Sequence, residues 1–258
     1  MSKINICGIL FDNVTMDQAI SAMEEKIKNH KNNESSGFLF VANQDIINRM
    51  QKIKELTLDG LNEAFLTIPD GYSIVYAAKF LKTPLKERVT GPDLMEKFME
   101  LSNSKSYKHF FLGAKEGVGQ KLKDNFLAKY PQIKIVGVYS PPFCDEFSIE
   151  ENQKIIDMIN NSNTDVLWVS FGCPKQEKWI LQNKDKIKTP ISVGIGAAFD
   201  FHSGNLKRAP KWVQNLRMEW FYRFLQEPKR LWKRYFVGGF NFLTLLLKEK
   251  KYNRSRGV

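Results

Sequence analysis

The 258-residue chain contains no Asp-x-Asp pair, only three cysteines, no internal repeat and no apolar run long enough to cross a bilayer. Each absence excludes something. Cys7, Cys144 and Cys173 are odd in number, far apart and without metal-ligand spacing, which argues against a disulfide framework or a zinc site. The missing acidic pair removes a common way of holding a divalent ion through carboxylate oxygens. The opening stretch, MSKINICGILFDNV, lacks the apolar core of a signal peptide, so the expected compartment is the cytoplasm.

What is present begins with an ordinary globular composition, 43% hydrophobic and 26% charged, which suits one main domain. The charge is unevenly spread. Residues 207–258 carry 14 Lys or Arg against 3 Glu, whereas residues 1–206 hold 25 basic and 25 acidic groups. The whole excess of +11 therefore lies in the last fifth of the chain. A tail of this kind meets something anionic, either nucleic acid or the acidic lipids and lipid diphosphates of a membrane face.

Thr15 followed by Gln18 reads as a capping box that opens a helix with Ala19, Ile20, Met23 and Ile27 on one face. A short strand or hairpin is expected before it. After the polar stretch HKNNESSG, the apolar runs FLFVAN, AFLTIPD, HFFLGA, IKIVGVYS, DVLWVSFG and PISVGIGAAFD each precede an amphipathic or cappable segment. This alternation predicts an α/β fold, a mostly parallel sheet flanked by helices in the Rossmann manner. After Asp200 aromatic and basic residues at helical spacing take over, dividing the chain into a core, 1–206, and a helical basic appendage, 207–258.

In open α/β sheets ligands bind beyond the carboxyl ends of the strands, so the residues closing each apolar run are the first candidates. They are Asn43, Asp70 with Gly71, Gly113 with Ala114, the run Gly172 to Glu177, and Gly194 to Asp200 in the last strand. Asp70, before a glycine and within an apolar stretch, could take a proton from an attacking hydroxyl or could cap the next helix. The run Gly172, Cys173, Pro174, Lys175, Gln176, Glu177 sits where free amides and the helix dipole attract phosphate, and Gln176 and Glu177 could bond a sugar. An ordinary turn with polar surface residues fits the same run. Gly194 and Gly196 allow close backbone approach and Asp200 supplies a carboxylate, but the string lacks the third glycine of a dinucleotide fingerprint. Asp93, in RVTGPD, reads as a helix cap, and Arg88 could neutralise phosphate. Cys173 and His202 have no orienting partner in view, so a Cys/His nucleophile is set aside.

Arg208, Arg217, Arg223, Arg230, Lys233 and Arg234 are interleaved with Trp212, Trp220, Tyr222, Trp232, Tyr235 and Phe236. Arginines clamp diphosphate oxygens bidentately, and Trp and Tyr favour the membrane interface. The greasy segment before the cationic end suits a helix lying on anionic lipid, although a core-packing helical pair with a solvated basic face is the competing reading.

These residues together resemble the WecG/TagA/CpsF family of bacterial glycosyltransferases over nearly the whole chain. The marks are Asn43, Asp70-Gly71, the Arg88 to Asp93 segment, Gly113-Ala114 with Gly117-Val118, and Gly172-x-Pro174-x-Gln176-Glu177. GIGAAFDF with Gly204, and the RAPKWVQNLRMEWFYRFLQEPKRLWKR block, complete them. The resemblance implies an inverting, metal-independent transfer of an N-acetylmannosamine-type sugar from a UDP-sugar to polyprenyl-diphosphate-linked GlcNAc, in teichoic acid, common antigen or capsule synthesis. It implies no cofactor, and a location at the inner face of the cell membrane, peripherally attached. Asp70 would be the general base. Asn43, Arg88, Gly172, Gln176, Glu177 and Gly196 would surround the donor, and Asp200 would lie near the nucleotide. Arg223, Arg230 and the Lys233-Arg234 pair would close over the site and steady the leaving diphosphate. Val41 and Ala42 depart from the threonine and proline of many teichoic acid members, which bears on the donor sugar. The rival readings are a transferase for another UDP-sugar or lipid-linked acceptor, and a nonenzymatic nucleic-acid-binding protein using the tail as platform.

Overall fold

The computed structural model describes residues 2–31, 34–50 and 58–255. A two-stranded antiparallel hairpin, β1 (Lys3–Ile6) and β2 (Ile9–Asp12), precedes helix α1 (Met16–Asn29). The expected capping box is there: the Thr15 hydroxyl accepts from the Gln18 amide, and the Gln18 side chain accepts from the Thr15 amide. Ala19 and Met23 turn inward, with Ile20 and Ile27 partly buried beside them.

The chain then continues through β3 (Gly37–Ala42), α2 (Gln44–Met50), α3 (Leu58–Asn62), β4 (Leu66–Pro69), α4 (Tyr72–Phe80), α5 (Gly91–Lys105) and β5 (Lys108–Gly113). Next come α6 (Val118–Lys129), β6 (Lys134–Tyr139), α7 (Ile149–Asn161), β7 (Val166–Ser170), α8 (Lys175–Asn183), β8 (Ile191–Gly194) and α9 (Ala198–His202). β3 to β8 form one six-stranded parallel sheet in the order β4-β3-β8-β7-β5-β6. All six apolar runs therefore became strands. The period of two explains the layers: Phe38, Phe40, Phe110, Leu112, Leu167 and Val169 face one core, and Leu39, Phe111, Val166 and Trp168 face the other. Burying one such side chain contributes about 1.5–3 kcal/mol relative to leaving it exposed.

One boundary differs from expectation. The run PISVGIGAAFD is strand only to Gly194; Gly196, at φ 53°, turns the chain, and Ala198 to Asp200 open α9. Asp200 therefore stands on a helix at the sheet's rim and not in the last strand, because the strand and helix are both buried and read as one apolar run.

The tail folds against the core. It comprises α10 (Lys211–Asn215), α11 (Glu219–Gln226), α12 (Pro228–Trp232), a π-helical turn (Lys233–Val237) and α13 (Gly238–Ser255). Phe242 and Leu246 of α13 enter the same core cluster as Ile6 of the hairpin and Ile46 and Ile47 of α2, while Leu231 of α12 is also buried. The Cys7 amide donates to Glu249 Oε2 (2.7 Å), and Asn48 Nδ2 donates to the Gly238 carbonyl (2.7 Å). Phe240, Leu243 and Leu247, together with Phe236 of the π-helical turn, follow one another at i, i+4, i+7, i+11 on the opposite side and remain exposed. Inward the tail is thus a packed helix, as one of the two readings expects, and outward it presents an apolar stripe. Among the described residues no helix is long and apolar enough to cross a membrane.

Candidate active site

The carboxyl ends of β4, β3, β8 and β7 lie side by side, which brings Asp70, Asn43, Gly194–Gly196 and Gly172–Gln176 to one rim. Backbone bonds tie the rim together: the Asp70 amide donates to Ala42 O (2.8 Å), Val89 to Pro69 O (3.1 Å) and Ile195 to Val169 O (2.8 Å).

Asp70 is not a helix cap. Gly71 holds the N-cap position of α4, at φ 111°, a conformation open to glycine, and no side chain caps that helix. The carboxylate is left for other work. Burial pushes its pKa up, the nearby Arg88, Arg234 and Arg223 pull it down, Glu219 pushes it up, and the net shift is upward. A base of raised affinity for protons, held among cations, suits abstraction from a hydroxyl.

Arg88 and Asp93 have partners that sequence reasoning missed. Arg88 Nη1 donates to Glu219 Oε2 (3.1 Å) and the guanidinium lies 4.5 Å from the centre of the Tyr72 ring. Glu219 Oε1 accepts from Arg208 Nε (3.1 Å), and Arg208 makes a two-pronged bond to Asp93 at 2.6 and 2.8 Å. Thr90, not Asp93, is the N-cap of α5; Asp93 receives the Thr90 hydroxyl at 2.6 Å. Burial works against the Asp93 carboxylate, yet the bonds from Arg208 and Thr90 win and bring its pKa to about 2. This chain of charges fixes the start of the tail beside Asp70.

Gln176 and Glu177 are buried at 4% and 2% exposure, so they are not the polar surface of an ordinary turn. Gln176 Nε2 donates to Glu177 Oε1 (2.8 Å), while Gln176 Oε1 and Glu177 Oε2 have no hydrogen-bond partner among the described residues. Gly194 lets this amide approach, since a Cβ there would meet Gln176 Nε2 at 3.0 Å. Gly172 (φ 81°) is exposed at the turn before them. Asn43 spends its Oδ1 on the first turn of α2, accepting from Asp45 (2.9 Å) and Ile46 (3.3 Å). Asp45, which sequence reasoning did not single out, pairs with Arg49 (3.0 Å) and with Arg234 (3.5 Å).

Burial raises the Glu177 pKa from 4.5 to about 7, against the hydrogen bond from Gln176 and the pull of Arg49. Its folded pKa exceeds its unfolded one, so this group favours folding fully below pH 4.5 and loses that contribution as pH rises through about 7. We expect stability to fall by up to about 3 kcal/mol across that window, and Glu177→Gln to flatten the fall. Denaturant midpoints measured at intervals from pH 4 to 9 check this; an unchanged slope in the variant refutes it.

The tail's cations are distributed. Arg223 acts through its charge on Asp70 and Asp200, and its guanidinium lies 5.1 Å from the centre of the Phe201 ring. Arg234 pairs with Asp45 and acts through its charge on Asp70. Arg230 bonds Glu227 and acts on Asp200, whose carboxyl burial pushes up. Lys233, expected to act as a pair with Arg234, is exposed on the π-helical turn. Tyr235, on the same turn, is half-buried among Arg223, Arg234, Arg230 and Asp70, with its ring 5.9 Å from Trp220. Burial raises the Cys173 thiol, which makes it a poor nucleophile, and His202 bonds the Pro92 carbonyl away from it. Among the described residues no three His, Cys, Asp or Glu cluster as metal ligands would.

The model of the glycosyl transferase WecG/TagA/CpsF family matches residues 4–256. The chain belongs to this family. It is 31% identical over 232 residues to the N-acetylglucosaminyldiphosphoundecaprenol N-acetyl-beta-D-mannosaminyltransferase of Staphylococcus aureus (strain MRSA252), covering 89% of this chain and 87% of that one. With the enzyme of the same name from Bacillus subtilis (strain 168) it shares 33% identity over 192 residues, 74% of this chain and 72% of the relative. This family member is thus a glycosyltransferase.

Proposed function

We propose that this protein transfers an N-acetylmannosamine-type sugar from a UDP-sugar to GlcNAc-diphosphate-polyprenol, with inversion, at the inner face of the cell membrane. The carrying observation is the uncapped Asp70 carboxylate amid Arg88, Arg223 and Arg234. The names of the relatives support the acceptor and the sugar.

In this reading Asp70 takes the proton of the acceptor hydroxyl. The freed oxygen attacks the anomeric carbon from the face opposite UDP, the bond to the diphosphate oxygen breaks, and the electron pair leaves with UDP. Arg223, Arg230 and Arg234, arriving on the tail, offset the charge gathering on that diphosphate, which assigns to side chains the work a metal ion does elsewhere. Gln176 offers its unpartnered Oε1 to a donor hydroxyl, and Glu177 fixes the amide's orientation. Arg88, Asn43, Gly172 and Gly196 line the donor, Asp200 meets the nucleotide, and Lys233 adds positive charge at the rim. Residues 1–206 and 207–258 act as core and appendage, and the polymer built is a teichoic acid, common antigen or capsule.

The outer stripe of α13, with Trp232 beside it and Lys248, Lys251 and Arg254 at its end, supports docking on anionic lipid. The test is a panel of UDP-sugars offered with GlcNAc-diphosphate-polyprenol, with chelator present and absent. We expect UDP-N-acetylmannosamine to be used in preference to UDP-glucose and UDP-N-acetylglucosamine, at a rate the chelator does not change. Preference for another donor overturns the sugar assignment, and no transfer to the lipid overturns the acceptor.

A further inference from the structure

Helix α4 begins two residues after Asp70, and its face carries aromatic rings where a surface helix carries polar groups. Tyr72, Tyr76 and Phe80 stand at i, i+4 and i+8, so they run in line for about 12 Å away from the carboxylate. Tyr76 is 49% exposed and Phe80 36%, while Ile74, Ala77 and Ala78 hold the helix to the core from its other side. The tyrosine rings lie 6.1 Å apart.

The tail walls this stripe at both ends. Arg217 lies over Tyr72 at 5.1 Å and Tyr76 at 5.7 Å, and its Nη1 donates to the Tyr76 hydroxyl at 2.8 Å. It forms no ion pair with a described carboxylate, and its φ of 62° is a conformation that a non-glycine residue adopts at a cost. Arg88 covers the Tyr72 ring too, and Lys250 of α13 stands 3.7 Å from the Phe80 ring centre. Leu216 and Met218, either side of Arg217, are exposed.

We propose that the Tyr72–Tyr76–Phe80 stripe is the seat of the acceptor's polyprenyl chain, with Arg217 holding the phosphates that join lipid to sugar. The proposal rests on the function given above. One sugar ring separates the attacked hydroxyl from the first phosphate, so an acceptor placed at Asp70 brings its phosphates toward the start of α4, where Arg217 lies over Tyr72. The lipid then starts where the aromatic stripe starts. Arg217 at the inner end and an aromatic floor leading outward to Phe80, where Lys250 lies over the ring, match the order of groups in a polyprenyl diphosphate whose chain runs out toward an anionic membrane face. A soluble peptide or a nucleic acid offers no such gradient.

The test uses the full chain in detergent and two acceptors, GlcNAc-diphosphate on a long polyprenol and on a short alkyl chain. In the double variant Tyr76→Ser/Phe80→Ser the ratio of long-chain to short-chain KM is expected to rise about tenfold, while Phe143→Ser, at another exposed aromatic, leaves it unmoved. Arg217→Gln is expected to raise KM for both acceptors alike and to leave the donor KM as it was. A ratio does not depend on the fraction of variant that folds. An unmoved ratio in an enzyme that glycosylates both acceptors, or an equal shift with Phe143→Ser, overturns the seat. A wild-type protein that glycosylates neither overturns the function on which it rests.

Discussion

Replacing Asp70 with Asn is expected to lower turnover about 10²–10⁴-fold while UDP binding stays near its wild-type value. The amide has the carboxylate's shape and can take no proton. Because no side chain caps α4 and Gly71 already holds the N-cap, the substitution removes no helix-terminal bond. Loss of activity therefore reports on the base and not on a melted helix. The same carboxylate predicts an acid limb: the rate falls with decreasing pH as Asp70 takes up a proton, at a pH above the ordinary carboxylate range because burial raises its pKa. Wild-type kcat in the variant, with donor saturating, would falsify the assignment. A variant that lost UDP binding in proportion to kcat would speak for a structural role instead.

The second large effect concerns the outer stripe of α13. Phe240, Leu243 and Leu247 are 72%, 49% and 53% exposed, and Phe242 and Leu246 hold the opposite side of the same helix to the core. Each apolar side chain moved from water into lipid contributes about 1–2 kcal/mol, and each new carboxylate near an anionic surface opposes binding by about 1 kcal/mol. The triple variant Phe240→Asp/Leu243→Asp/Leu247→Asp should thus lose at least about 6 kcal/mol, or roughly 10⁴-fold, in partition onto vesicles containing anionic phospholipid. Co-sedimentation with such vesicles measures it, and retention of the triple variant would sink the docking role. Deleting residues 207–258 is a poorer test, because it also strips Phe242 and Leu246 from Ile46 and Ile47 and leaves Asp93 without Arg208.

The sheet could be read in the sequence because each strand is a short apolar run closed by a turn, and those signals are local. Where two buried elements meet without a polar break, as at Ile191–Gly194 and Ala198–His202, periodicity does not divide them. Only the φ of Gly196 marks the corner. Asp70 was legible for the same local reason, a carboxylate ending an apolar run. What was not legible depends on partners far away in the chain. Glu219 looks like any surface acid until Arg88 and Arg208 stand on either side of it, 131 and 11 residues off. Asp45 matters through Arg234, and Tyr235 is one aromatic among many until the π-helical turn brings it in among three arginines. Neighbouring cations in the sequence, Lys233 and Arg234, part company on that turn, which no count of charges foretells.

The bond from the Cys7 amide to Glu249 joins residues 242 positions apart. During synthesis at about 5–20 residues per second, the hairpin waits on the order of ten to fifty seconds for its partner. Arg223, Arg230 and Arg234 likewise emerge from the ribosome only after every strand of the sheet has been made. A stalled or truncated nascent chain can thus hold Asp70 at the end of its strand with none of the tail's arginines beside it.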